Sequence, residues 1–153
     1  MGMRDREENP PDEADLLALL DQMTRRDRRL FACDIGESVL TYYSEDRVKR
    51  ETLDWLIKVA RACAQRNSSF DPDLAALAGT YGMAWHSLNH PGNRLVMLTV
   101  TQVLSLDSII AARGAVEWAL NTVRKLENRP EEVALFQRWM ERQAALYAKQ
   151  KGL

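Results

Sequence analysis

The chain has 153 residues, of which 46% are hydrophobic and 28% are charged, and its net charge is −1. This length suits one domain with a sizeable core, and the composition excludes an intrinsically disordered chain. The near-neutral charge provides no overall basic field that would draw in nucleic acid.

The N-terminal region predicts a disordered tail over residues 1–11, followed by one α-helical domain over residues 12–153. The tail is charged, ends in Pro10-Pro11 and lacks the apolar core of a secretory signal. Acidic residues then occupy an expected first helical turn, and leucines repeat behind them up to Met23. The longest uncharged apolar runs are too short to span a bilayer, so we expect a cytoplasmic protein with no membrane partner.

Thr24 is expected to cap the next helix, with Asp27 three residues later in the manner of a capping box. Apolar residues follow at helical spacing and predict a helix over Asp27–Tyr43. The residues of this stripe are Phe31, Ile35 and Val39. The small residues Ala32 and Gly36 lie beside the stripe and would let another helix approach closely.

A third helix is predicted over Asp46–Arg66 from apolar residues spaced three or four apart. These are Leu53, Leu56, Ile57, Ala60, Cys63 and Ala64. An antiparallel hairpin that turns near Glu45 would place Cys33 across from about Ile57. The offset from Cys63 is then about 9 Å along the helix, so we expect no disulfide and a reducing compartment.

The next predicted helix, over residues 72–88, contains no charged side chain after Asp73. A helix without a charged face is either the buried centre of a bundle or covered by a partner. Aromatic residues and Met are typical of protein interfaces, which makes this helix a candidate partner-binding surface. Its candidate partner-binding residues are Tyr81, Met83, Trp85 and His86. The following Asn89–Asn93 stretch is predicted to be a loop.

Leu95–Leu106 is rich in β-branched residues, which favour a strand. No second strand is available to pair with it, so we predict a buried helix. Asp107 should cap a helix over residues 108–126, and the last helix should span residues 131–149. Residues predicted to face inward are Ile109, Ile110, Val116, Leu120 and Val123, then Val133, Phe136, Met140, Ala144 and Tyr147, with Leu135, Trp139 and Leu146 beside them. The sequence thus predicts an all-α, hairpin-paired bundle of six or seven helices.

No catalytic, metal or cofactor site is recognisable, and we expect a protein that is not an enzyme. His86 and His90 have the spacing of metal ligands on a helix, but Pro91 suggests that the helix ends before His90. Asp34 and Glu37 could face one groove and perform acid–base chemistry. An ion pair with Arg28, Arg29 or Lys58 is the favoured interpretation; full activity of a D34N/E37Q variant would exclude the enzymatic one.

Four arginines within five residues, Arg25, Arg26, Arg28 and Arg29, give the chain one local basic cluster. They could contact nucleic-acid phosphates and make the chain a small helical subunit of a nucleoprotein complex. Asp27 interrupts the cluster, and few aromatic residues accompany it. Nucleic-acid binding is therefore the alternative to a protein partner.

Three segments of the first half carry a family resemblance. They read DRRLFAC at residues 27–33, ESVL at 37–40 and VARACA at 59–64. This pattern resembles the α-helical immunity proteins of bacterial polymorphic-toxin systems. The resemblance implies a non-enzymatic bacterial protein that binds and blocks a cognate toxin, and it assigns no role to an individual residue.

Overall fold

The computed structural model describes residues 13–43, 47–66, 91–105, 107–127 and 129–151. These residues form six α-helices and one short 3-10 helix, without a strand, so the predicted all-α bundle is confirmed. The helices are α1 (Glu13–Gln22), α2 (Arg25–Val39), α3 (Arg47–Gln65), α4 (Pro91–Val103), α5 (Ser108–Leu126) and α6 (Pro130–Lys151), and the 3-10 helix is Leu40–Tyr42. The predicted tail and the predicted helix over 72–88, with Tyr81, Met83, Trp85 and His86, lie outside the described residues.

Thr24 caps α2 as predicted. Its hydroxyl oxygen accepts a hydrogen bond from the backbone N–H of Asp27 at 3.1 Å, and its backbone is extended. This bond satisfies one of the N–H groups that every helix leaves unpaired at its start. The helix therefore begins at Arg25, two residues before the predicted start.

The second helix, α2, lies at the centre of the bundle and packs against α3, α4, α5 and α6. Gly36 explains the close approach of its neighbours. A Cβ atom at this position would lie 2.9 Å from Cγ2 of Val103 on α4 and 3.3 Å from Cδ1 of Ile57 on α3. Ile57 thus packs at Gly36, one helical turn from Cys33, and the close approach predicted at Gly36 is confirmed.

The apolar stripe predicted for the third helix is confirmed in α3. Its six members are all buried, at 7% exposure or less. Cys33 and Cys63 are both buried, and neither forms a disulfide within the part of the chain that the structure describes. Among the described helices, none combines the length and the apolarity that a membrane crossing requires.

The segment that could have been a strand is a helix, α4, and it starts earlier than expected. Pro91 occupies its first position, where a backbone N–H would have no acceptor within the helix, so the lack of this group in proline breaks no helical hydrogen bond. The predicted loop over Asn89–Asn93 is therefore wrong for its last three residues. The hydroxyl groups of Thr99 and Thr101 donate to carbonyl oxygens four residues earlier, each at 2.8 Å, which lets threonine fit inside the helix.

Asp107 caps α5 as predicted, because its carboxylate accepts from the N–H groups of Ile109 and Ile110. Ile110 itself was expected to face inward and does not, being 54% exposed. The helical turn of 100° per residue places it opposite the buried stripe that includes Ala111, Ala115 and Ala119. On α6, Met140 and Ala144 are buried as predicted.

Candidate protein-binding surface

One side of α6 presents apolar side chains to solvent. Leu135 and Leu146 are 53% and 58% exposed. They are eleven residues apart, which returns the helix to within about 20° of the same direction. We define the outer α6 face as the side that carries Glu131, Leu135, Trp139, Arg142, Leu146 and Lys149.

Trp139 lies at the edge of the outer α6 face and is partly buried. Its ring stacks on the ring of Phe136, with centroids 5.8 Å apart and planes 22° apart. Both side chains also pack against the buried core, and the stacking holds the partly buried Trp139 ring beside the two exposed leucines. Rigid aromatic and aliphatic side chains of this kind are typical anchors of protein interfaces.

Charges are arranged by sign along the outer α6 face. Glu131 and Glu132 stand in the first turn of the helix, and Lys149 stands near its end. Arg142 lies between the two leucines and is exposed, as are Glu131 and Lys149. This order follows the helix dipole, which favours acidic side chains at the start and basic ones at the end.

The inner side of α6 is anchored to α2. The hydroxyl of Tyr147 donates a hydrogen bond to Oδ2 of Asp34 at 2.6 Å. Its ring also meets the edge of Phe31, with centroids 6.3 Å apart and planes 74° apart. Burial, then the bond to Asp34, raises the pKa of the Tyr147 hydroxyl, so this group remains a proton donor. The anchor determines which side of α6 faces outward.

The same aspartate binds an arginine of α3. Arg61 donates to Oδ1 of Asp34 at 3.0 Å and to Oε2 of Glu37 at 2.6 Å. Asp34 therefore joins three helices, because α2 carries it, α3 supplies Arg61 and α6 supplies Tyr147. We call Asp34, Glu37, Arg61 and Tyr147 the Asp34 cluster.

The Asp34 cluster is the interhelical ion pair that the sequence favoured for Asp34 and Glu37. The partner is Arg61, however, and Lys58 pairs with Asp54 at 2.8 Å instead. Burial lowers the pKa of Arg61, but its bonds to Glu37 and Asp34 outweigh this effect and raise that pKa overall. The guanidinium is thus held in its charged form between two carboxylates, an arrangement that suits a clamp between helices.

An open depression lies between α2, α3 and α6, next to the outer α6 face. Its volume is about 320 Å³. Residues of the Asp34 cluster form one wall, and Trp139 continues it onto the outer α6 face. The lining residues are Asp34, Glu37, Ser38, Arg61, Trp139 and Gln143.

The four clustered arginines divide into two pairs. Arg28 donates to the carbonyl oxygens of Leu20, at 2.8 Å, and Asp21, at 3.3 Å, near the end of α1. Arg29 donates to the carbonyl oxygen of Ser105 at 2.9 Å, and burial lowers its pKa.

Both of these arginines therefore hold separate parts of the chain together. Arg25 and Arg26 are exposed in the first turn of α2. This exposed pair is the part of the cluster that could reach a phosphate.

No group of three metal-ligating side chains occurs among the described residues, and His86 and His90 are outside them. The sequence predicts Leu135 and Leu146 beside the inward line of the last helix, but both are exposed in the structure. The two leucines lie about 140° and 120° away from Met140 on the helix, and the burial of Met140 in the structure shows that this angle places them on the outer side. No local signal in the sequence marks Arg61 as the partner of Asp34.

Comparison of the chain with protein-family models, with curated proteins and with solved structures found no match in any of the three.

Proposed function

We propose that this protein is a non-catalytic helical module that binds another protein through the outer α6 face. The exposure of Leu135 and Leu146 on one side of one helix carries the proposal. Binding would remove these apolar side chains from water, and the flanking charges would set the orientation of the partner. The Asp34 cluster supports this role because it holds α6 in one position before the partner arrives.

The resemblance to immunity proteins supports a finer proposal, in which the partner is a cognate bacterial toxin that this protein blocks. The segments that carry the resemblance lie mainly in α2 and α3. Two buried cysteines that form no disulfide among the described residues suit a reducing compartment, which supports a location in the cytoplasm. The predicted interface at Tyr81, Met83, Trp85 and His86 stays a prediction.

A capture experiment from native lysate tests the protein-binding role. The tagged chain should retain a stoichiometric protein after nuclease treatment, and the L135Q/L146Q variant should lose it. The matched control is W55Q/I110Q, because Trp55 and Ile110 are large exposed apolar residues elsewhere on the described surface. Equal loss in both variants, or retention in L135Q/L146Q, would contradict a role for the outer α6 face.

The exposure of Arg25 and Arg26 favours a second candidate function, a small helical subunit of a nucleoprotein complex. With Arg28 and Arg29 engaged by backbone carbonyls, we expect about two phosphate contacts and a log–log salt slope near −2. R25A/R26A should remove nucleic-acid binding. R124A/K125A is the control, because it removes the same charge from another exposed site and should leave that binding in place. Loss of every captured partner on nuclease treatment would place this function first.

A further inference from the structure

We propose that the partner that fits the outer α6 face is a second copy of this chain, bound through an antiparallel pair of α6 helices. This inference rests on the proposed function, because it names the partner of the same surface. The two exposed leucines are equally distant from the middle of the helix, between Met140 and Glu141. In a twofold antiparallel pair, Leu135 of each copy therefore lies opposite Leu146 of the other.

The charges on this face are self-complementary in the same register. Glu131 of one copy lies within one position of the point opposite Lys149 of the other. Glu132, beside the outer α6 face and paired with Arg129 of its own chain at 3.4 Å, lies opposite the same lysine. Trp139 lies opposite the exposed Arg142 of the second copy, which places a guanidinium against an aromatic face. Antiparallel helix dipoles also attract each other. A parallel pair would instead place glutamates against glutamates and lysines against lysines.

The size of the interface sets the expected strength of the dimer. The α6 helix has 22 residues, which corresponds to about 33 Å of length. One helix pair of this length buries less than the roughly 1,200–2,000 Å² of a standard stable interface. We therefore expect a reversible dimer with a dissociation constant in roughly the micromolar range.

Sedimentation equilibrium of the full chain at low ionic strength tests the dimer directly. The wild type should follow a monomer–dimer equilibrium. L135Q/L146Q should weaken it by about a hundredfold or more, because four half-exposed leucines lose their burial across the twofold axis. W55Q/I110Q should leave it unchanged, and far-UV circular dichroism must show that all variants remain helical.

A charge-exchange experiment tests the antiparallel register. E131K/E132K and K149E should each dimerise about tenfold more weakly than the wild type, because each puts like charges together at both ends of the interface. An equimolar mixture of the two variants should recover wild-type affinity as a heterodimer, since opposite charges then meet at both ends. A parallel pair would behave differently, because its wild type already opposes like charges at both ends: neither variant alone would dimerise more weakly than the wild type, and the mixture would bind more tightly than the wild type.

Several results would overturn the inference: a wild type that stays monomeric at millimolar concentration, a dimer insensitive to L135Q/L146Q, or a mixture without recovery. The proposed function fails separately. If the wild type is monomeric but L135Q/L146Q still loses a nuclease-resistant partner, the outer α6 face binds a different protein, and only the second-copy inference falls.

Discussion

Asp34→Ala is expected to lower the free energy of unfolding by about 2.5 kcal/mol. Asp34 accepts from both Arg61 and Tyr147, and its side chain is only 19% exposed. A hydrogen bond to a charged group contributes about 1.5–3 kcal/mol. We take the lower end for each bond because the site is partly exposed, and the better helix propensity of alanine offsets about 0.5 kcal/mol of the loss.

Glu37→Ala is the matched control, because Glu37 binds the same guanidinium but is 50% exposed. Exposed ion pairs contribute about 0.2–1 kcal/mol, so this variant should lose no more than about 0.5 kcal/mol. Tyr147→Phe should lose about 1–1.5 kcal/mol, since it removes one hydrogen bond and leaves the Asp34 oxygen without that donor.

Urea denaturation followed by circular dichroism measures all three changes, and thermal melts should show a decrease of about 5–10 °C in the melting temperature for Asp34→Ala. If Glu37→Ala lowered the free energy of unfolding as much as Asp34→Ala, Asp34 would have no special role in joining the three helices. A loss below about 0.5 kcal/mol for Asp34→Ala would also exclude that role, because the aspartate would then not be a clamp between three helices.

Three further predictions concern the core and the start of α2. Gly36→Ala should lower the free energy of unfolding by about 1 kcal/mol, because the added Cβ would lie 2.9 Å from Cγ2 of Val103. In a Val103→Ala background the same change should be neutral or stabilising. Equal effects in urea titrations of both backgrounds would contradict the contact. Burial raises the pKa of the Cys33 thiol from 9.0 to about 12, so the folded state retains a proton that the unfolded state releases. The difference in stability between the wild type and Cys33→Ala, measured in thermal melts, should therefore be constant below about pH 8. The wild type should lose stability relative to Cys33→Ala from about pH 9 to 12, and a pH-independent difference would contradict this. Arg25→Glu with Arg26→Glu should raise the free energy of unfolding by about 1 kcal/mol, because acidic side chains suit a helix start, and a lower melting temperature would show that the arginines stabilise the fold.

The sequence by itself determined the helical class and several helix boundaries. Thr24 and Asp107 could be identified as caps because capping depends on residues three or fewer positions apart. The buried stripe of α3 could likewise be predicted, since its periodicity repeats within each turn. β-branched residues in α4 were compatible with a helix because no second strand was available to pair with them.

Only the tertiary structure decided which long-range partners meet and which side of each outer helix remains uncovered. Tyr147 and Asp34 are 113 positions apart, and no local pattern couples them. Ile110, Leu135 and Leu146 have the same apolar character as buried neighbours, so composition alone could not show that they face solvent. Their exposure depends on how each helix is rotated against the bundle, which is determined by the packing of all the helices together.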